Sequence, residues 1–183
     1  MNGLKDYSGE FNPDIKFEDF SKDVLIELLK LYSRLYLAID GFWYLAIKER
    51  VSNEEALLCD IRAWEREVKY EMNRLVKLLK IQGNDVVTLM KALQMVPWFW
   101  NLEYSIKIIN RNDAVLTITR CPTLEALEKE GEGREETICK LVDAEIYKEY
   151  AKFFNPSMKV KYLKLPSKQS KEEICCQWEF KVG

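Results

Sequence analysis

The hydrophobic period of this chain first changes at Pro97, and no other feature constrains its fold as strongly. Before Pro97, apolar residues recur at spacings of three and four; after it come extended runs bounded by turn residues, with helical spacing returning between Thr123 and Phe154. A chain patterned in this order builds an α+β architecture: N-terminal long helices packed with a C-terminal four-stranded antiparallel sheet and two further helices. The sequence has no internal repeat and no linker, so residues 1–183 are expected to form one domain, with a helical part over about 17–95 and a sheet-forming part over about 97–183.

Within the helical part, Val24, Leu28, Leu31, Leu35, Ile39, Phe42 and Leu45 form the stripe of a first helix running from Ser21 to Arg50. Ser52 with Glu55 makes a capping box for a second, whose stripe is Leu57, Ile61, Trp64, Val68, Met72, Leu75 and Leu79, ending at Gly83. The pair is expected to fold as an antiparallel hairpin across Val51-Ser52-Asn53, with its apolar stripes facing the core. Asn84 or Asp85 caps a third helix that bears Val86, Leu89, Met90 and Leu93.

Beyond Pro97, strands are predicted at Trp98–Asn110, Ala114–Arg120, Lys159–Leu165 and Ile174–Val182, the first two closing a hairpin through Asn110-Arg111-Asn112-Asp113. Thr123 is expected to cap a short helix ending at Gly131, and a longer helix is expected from Arg134 to Phe154, stopped by Asn155-Pro156.

Charge and composition exclude several functions. The 28 basic and 30 acidic side chains leave a formal charge of −2, too little to hold a phosphate backbone, so nucleic acid is not an expected partner. No stretch approaches the roughly 20 apolar residues of a membrane span, and the polar N-terminus carries no secretion signal, so the expected location is cytoplasmic and no membrane partner is expected. Five cysteines, an odd number, read as reduced thiols. With no histidine in the chain, catalysis near neutral pH falls to carboxylates, thiols, tyrosine or lysine.

Two sets of residues could carry chemistry. Cys121 ends a strand just ahead of a helix, Cys139 lies on the next helix, and Cys176 alternates with Trp178 and Phe180 on the buried face of the last strand. If the sheet gathers these ends, Cys121, Cys139 and Cys176 could hold a soft metal such as zinc, or Cys121 could act as a nucleophile with its thiolate favoured by the helix N-terminus; inert core thiols are the structural alternative. Asp143, one turn beyond Cys139, falls beside the apolar stripe, where desolvation would make it a base. The second set is a ligand pocket: Asp40 beside Gly41 and the aromatic run Phe42-Trp43-Tyr44, with Trp98, Trp100 and Trp178 as further walls. Gly41 at mid-helix is expected to reflect close packing. The mixed charges Arg62, Glu65, Arg66, Glu67, Lys69 and Glu71 read as a solvated face, Cys59 as incidental, and Lys159, Lys161, Lys164, Lys168 and Lys171 as a locally basic segment.

The run Thr119-Arg120-Cys121-Pro122-Thr123, the helix bearing Cys139 and Asp143, Asn155-Pro156, and the terminal Cys175-Cys176-Gln177-Trp178-Glu179-Phe180 resemble the C-terminal half of the L-2-amino-thiazoline-4-carboxylic acid hydrolase-like family. An uncharacterised prokaryotic group related to it is similar over most of the chain, through Asp40-Gly41-Phe42-Trp43, Trp64 and Leu89–Gln94, and the 4-vinyl reductase domain is similar more distantly. The resemblance implies an α+β fold with a ligand pocket between sheet and helices, and hydrolysis of a small cyclic amidine or amide. Its matching residues are Cys121, Cys139, Asp143, Asn155 and Cys176. Where those families carry a glycine-aspartate turn before the last cysteine, this chain has Lys171-Glu172-Glu173-Ile174.

Two functions remain open at this level. The first is a small-molecule-binding or sensing domain with an aromatic-lined pocket, built on Asp40, Trp43, Trp98, Trp100, Asn155 and Trp178. The second is a thiol- or metal-dependent hydrolase using Cys121 and Asp143. The expected partner is a small-molecule ligand, with a homodimer left open.

Overall fold

The computed structural model describes residues 3–166, 170 and 173–183. Lys168, Lys171 and the start of the Lys171-Glu172 turn lie outside the described residues. The fold is α+β. Helices α1 (Lys22–Arg50), α2 (Asn53–Leu79) and α3 (Val86–Leu93) precede strands β1 (Glu103–Asn110) and β2 (Asp113–Arg120). Helices α4 (Pro122–Glu130), α5 (Glu135–Ile138) and α6 (Ala144–Phe154) follow, then strands β3 (Met158–Lys164) and β4 (Cys176–Val182).

The sheet is antiparallel throughout, in the order β1-β2-β4-β3, with Leu116 opposite Trp178 and Ile118 opposite Cys176. Period-2 alternation sends Leu116, Ile118, Cys176, Trp178 and Phe180 to one buried face. Helix α6 covers that face with Tyr147 and Tyr150, and α2 packs on the far side of α6. One continuous apolar core runs from Tyr44 and Trp64 of the helices to Trp178 and Phe180 of the sheet.

The hairpin of α1 and α2 forms as the pattern predicts. The Ser52 hydroxyl accepts from the Glu55 N–H at 3.1 Å, Tyr36 meets Trp64 edge to face, and the Tyr44 hydroxyl donates to Asn53 Oδ1 at 2.8 Å. The paired numbers converge toward the turn, so the helices run antiparallel. What differs is the face that α1 turns inward. Ser33, Leu37, Asp40, Tyr44 and Ile47 look into the protein, while Leu35, Ile39 and Phe42 of the expected core stripe are half to two-thirds exposed.

Four local readings are corrected. Trp98–Asn101 is a 3-10 turn and not the start of β1: Pro97 sits in helical geometry, and its carbonyl takes the Ser33 hydroxyl at 2.6 Å, which holds the turn against α1. Helix α4 is capped by Cys121 with Pro122 at its first position, two residues ahead of Thr123. The predicted Arg134–Phe154 helix is interrupted by a π-helical turn at Cys139–Asp143. Gly41 is not closely packed, because a Cβ there would meet nothing within 4 Å.

Candidate functional site

Inverting α1 puts polar residues where a core would be. Asp40 of α1 and Asp60 of α2 face each other across the hairpin, with the Trp64 indole beside them favouring the charged form of both carboxyls. Asp60 lies in the row Ala56-Asp60-Trp64-Val68, four residues apart, and this row is the buried face of α2. Asp143 arrives from the opposite side, at the end of the π-helical turn. The turn sets the Cys139 thiol beside its carboxylate, where it favours the charged form.

These three aspartates line one cavity of about 90 Å³ between the helices and the sheet. Its remaining wall is apolar and thiol-bearing, with Trp98, Ile118, Tyr147 and the four cysteines Cys121, Cys139, Cys175 and Cys176. An adjoining cleft of about 420 Å³ shares Asp40, Asp60, Thr123 and Ile138 with it and is bordered by Gly41, Tyr44 and Arg134. The empty space beside Gly41 belongs to this cleft. Arg134 lies with its guanidinium 5.0 Å above the Tyr44 ring and pairs with Glu130 through Nη2; its buried Nη1 has no hydrogen-bond partner among the described residues.

Burial sets the protonation of the cavity. Desolvation pushes Asp143 up to about 6, opposed by its bond with Cys139 and reinforced by Asp40. Asp40 and Asp60 are raised as a pair, chiefly by burial; Asp60 goes further because both Asp40 and Asp143 repel its charge. At neutral pH such a pair retains a proton that ordinary aspartates have lost.

The thiols respond in the same direction. The Cys121 side chain makes no capping hydrogen bond to the start of α4; burial raises its pKa to about 11, only partly opposed by the nearby backbone N–H groups of Leu124 and Thr123. The expectation of a depressed pKa at Cys121 is therefore corrected. Burial and Asp143 raise Cys139 and Cys176 as well. Among the described residues, no group of three or more cysteine, aspartate or glutamate side chains is arranged to hold a metal ion, so the zinc expectation for Cys121, Cys139 and Cys176 finds no assembled ligand set. Cys175 is buried, with its thiol donating to the Thr119 carbonyl at 3.2 Å.

Of the expected pocket residues, Asp40 and Trp98 line the cavity. Trp43 is two-thirds exposed and borders an outer groove between α1 and α2. Trp100 lies on the surface with its indole N–H on the Gln94 carbonyl at 2.7 Å. Trp178 is sealed in the core, stacked on Tyr147 with its N–H on Cys176 Sγ at 3.2 Å. Asn155 closes the turn after α6, donating to the Asn84 carbonyl and accepting from the Ser157 N–H. Trp100, Trp178 and Asn155 do structural work that residue type alone could not distinguish from ligand contact.

Asp60 has no reading in the sequence pattern, and Glu71 reads there as part of a solvated face. Glu71 is buried, not solvated: Tyr150 donates to it at 2.7 Å while accepting from the Trp98 indole at 3.0 Å. Its pKa rises to about 7 through burial, moderated by the Tyr150 bond. The three groups link the cavity wall at Trp98 to α2.

Fold and site together define an α+β protein with a buried aromatic cluster and an internal cavity faced by carboxyls and thiols. The profile of a family of unknown function, DUF6125, matches residues 18–182, and the chain belongs to that family. No curated protein and no solved structure matches it. Among the described residues, no helix is long and apolar enough to cross a membrane.

Proposed function

We propose that the chain binds a small organic molecule carrying a basic nitrogen, seated in the cavity and extending into the adjoining cleft. The observation that carries this reading is the convergence of Asp40, Asp60 and Asp143 on one enclosed space whose other walls are apolar. Three carboxyls in a poorly solvated space repel one another and hold protons; an amine or amidine cation would relieve both costs by taking the place of those protons. Arg134 Nη1, unpaired at the border of the cleft, offers a donor to an acceptor group on the other end of the same ligand. The combined space is of the size that small-molecule sites use.

Hydrolysis of a small cyclic amidine or amide is a second reading, favoured by the carboxyls and not by the thiols. The raised Asp40–Asp60 pair keeps a proton between its two carboxyls, the condition under which one can serve as general acid and the other as general base. Cys121, with its pKa near 11, supplies little thiolate for attack at neutral pH.

The test is a methyl NMR screen of the intact chain against small amines, amidines and matched neutral amides. Binding of the cations should shift the methyls of Ile118, Leu124, Ile138 and Val142, and Asp143→Asn should weaken it at least tenfold. If no cation moves these methyls, or neutral amides move them equally, the reading fails. Turnover of any bound amidine would decide for the hydrolase.

A further inference from the structure

The outward face of α1 is the least explained surface of the protein. Read as a heptad, with Tyr32 and Ile39 at one seam position and Leu35 and Phe42 at the other, all twelve seam and flanking positions from Leu28 to Ala46 are Leu, Tyr, Ala, Ile, Phe or Trp. Every charged residue in that span, Lys30, Arg34 and Asp40, falls at another position. Such a pattern normally packs against another helix, and here only its Tyr36 edge meets α2, at Trp64, while most of it is turned outward. Tyr32, Leu35, Ile39, Phe42 and Trp43, with Leu58 of α2 beside them, are half to two-thirds exposed.

We infer that this face is the interface of a homodimer, in which α1 of two copies packs antiparallel and the two hairpins form a four-helix bundle. The first argument is area. At these exposures the six side chains present on the order of 700 Å² of surface, above the roughly 300–600 Å² patch usual on a monomer and close to the roughly 800 Å² each partner buries in a stable complex.

The second argument is self-complementarity. An antiparallel register centred near Leu37 stacks Leu35 on Ile39, Tyr32 on Phe42 and Leu28 on Ala46, so the bulkiest residues of one copy meet smaller or flat ones of the other, as a two-fold contact requires. The two Ala38 residues then meet near the axis, where small side chains let the helices approach. A membrane surface fits less well, because the polar flank mixes Glu27 with Lys30 and Arg34 and offers no basic excess to anionic lipid. The paired helices would also cover the groove bordered by Tyr36, Ile39, Asp40 and Trp43, closing the outer approach to Asp40.

Light scattering coupled to gel filtration tests the inference. The wild-type chain should run at twice its 21.6 kDa mass, and Ile39→Glu/Phe42→Glu should halve that mass while leaving the helical circular dichroism unchanged. As a measurement independent of that variant, Ala38→Cys should give a disulfide-linked dimer on oxidation, well above any background from the exposed native Cys59. A wild-type monomer, including one that binds anionic vesicles or a different protein through this face, would overturn it. So would a dimer that a well-folded Ile39→Glu/Phe42→Glu variant keeps, or an Ala38→Cys chain that links no better than wild type.

Discussion

Asp143→Asn isolates one carboxyl of the cavity, and its effect on stability is fixed in sign. In the unfolded chain Asp143 titrates near 3.8; in the folded protein burial lifts it to about 6. The folded state therefore keeps this proton to higher pH. The stabilisation it gives is fully present below the unfolded value and is lost as pH rises through the folded one. A shift of about two units corresponds to about 3 kcal/mol at 1.36 kcal/mol per unit, a large share of the roughly 5–15 kcal/mol that holds a typical domain together. Asparagine cannot ionise, so the variant does not lose this contribution. Urea unfolding at steps between about pH 4 and pH 8 should show variant stability, relative to wild type, rising by about 2.5 kcal/mol across the range. Loss of the favourable Cys139 interaction with the carboxylate adds an offset at the high-pH end and trims the rise without reversing it. A difference that stays flat with pH would refute the claim that Asp143 is desolvated.

Gly41→Ala should stabilise the chain by up to about 1 kcal/mol, because alanine is the better helix former and its Cβ meets nothing, which a thermal melt would detect. Tyr150→Phe should destabilise by about 2 kcal/mol, since it leaves the buried Glu71 without a donor and the Trp98 indole without an acceptor; chemical denaturation measures it. Under native alkylation followed by peptide mass spectrometry, exposed Cys59 should react first and Cys121, Cys139, Cys175 and Cys176 far more slowly; fast labelling of Cys121 would restore the nucleophile.

The period change at Pro97 fixes the α+β fold because helix and sheet geometry impose it residue by residue, and the caps at Ser52 and Asp85 place the helix starts to within a residue. Hydrophobicity failed on α1 for a physical reason. A helix that lines a polar cavity inside and carries an apolar seam outside reverses the usual relation between pattern and burial, so the stripe through Leu35, Ile39 and Phe42 points away from the core. Asp40 and Asp143 were legible as polar residues beside apolar stripes. Asp60 has the same signal, lying midway between Ala56 and Trp64, but is masked by the charged run that follows it from Arg62. Glu71 was hidden in the same way among Arg66, Glu67 and Lys69. A large aromatic serves a core, a surface notch or a pocket equally well, so of the expected pocket tryptophans Trp43, Trp98, Trp100 and Trp178 just Trp98 lines the cavity, where Trp64 joins it.

Carbon-detected NMR titration of aspartate carboxyls, with and without acetamidinium, tests the central claim most directly. The account predicts three carboxyls, those of Asp40, Asp60 and Asp143, titrating clearly above the normal value of about 4, with Asp143 near 6 and all three moving down when the cation is added. Carboxyls at Asp40, Asp60 and Asp143 that titrate in the ordinary range and ignore the cation would contradict it.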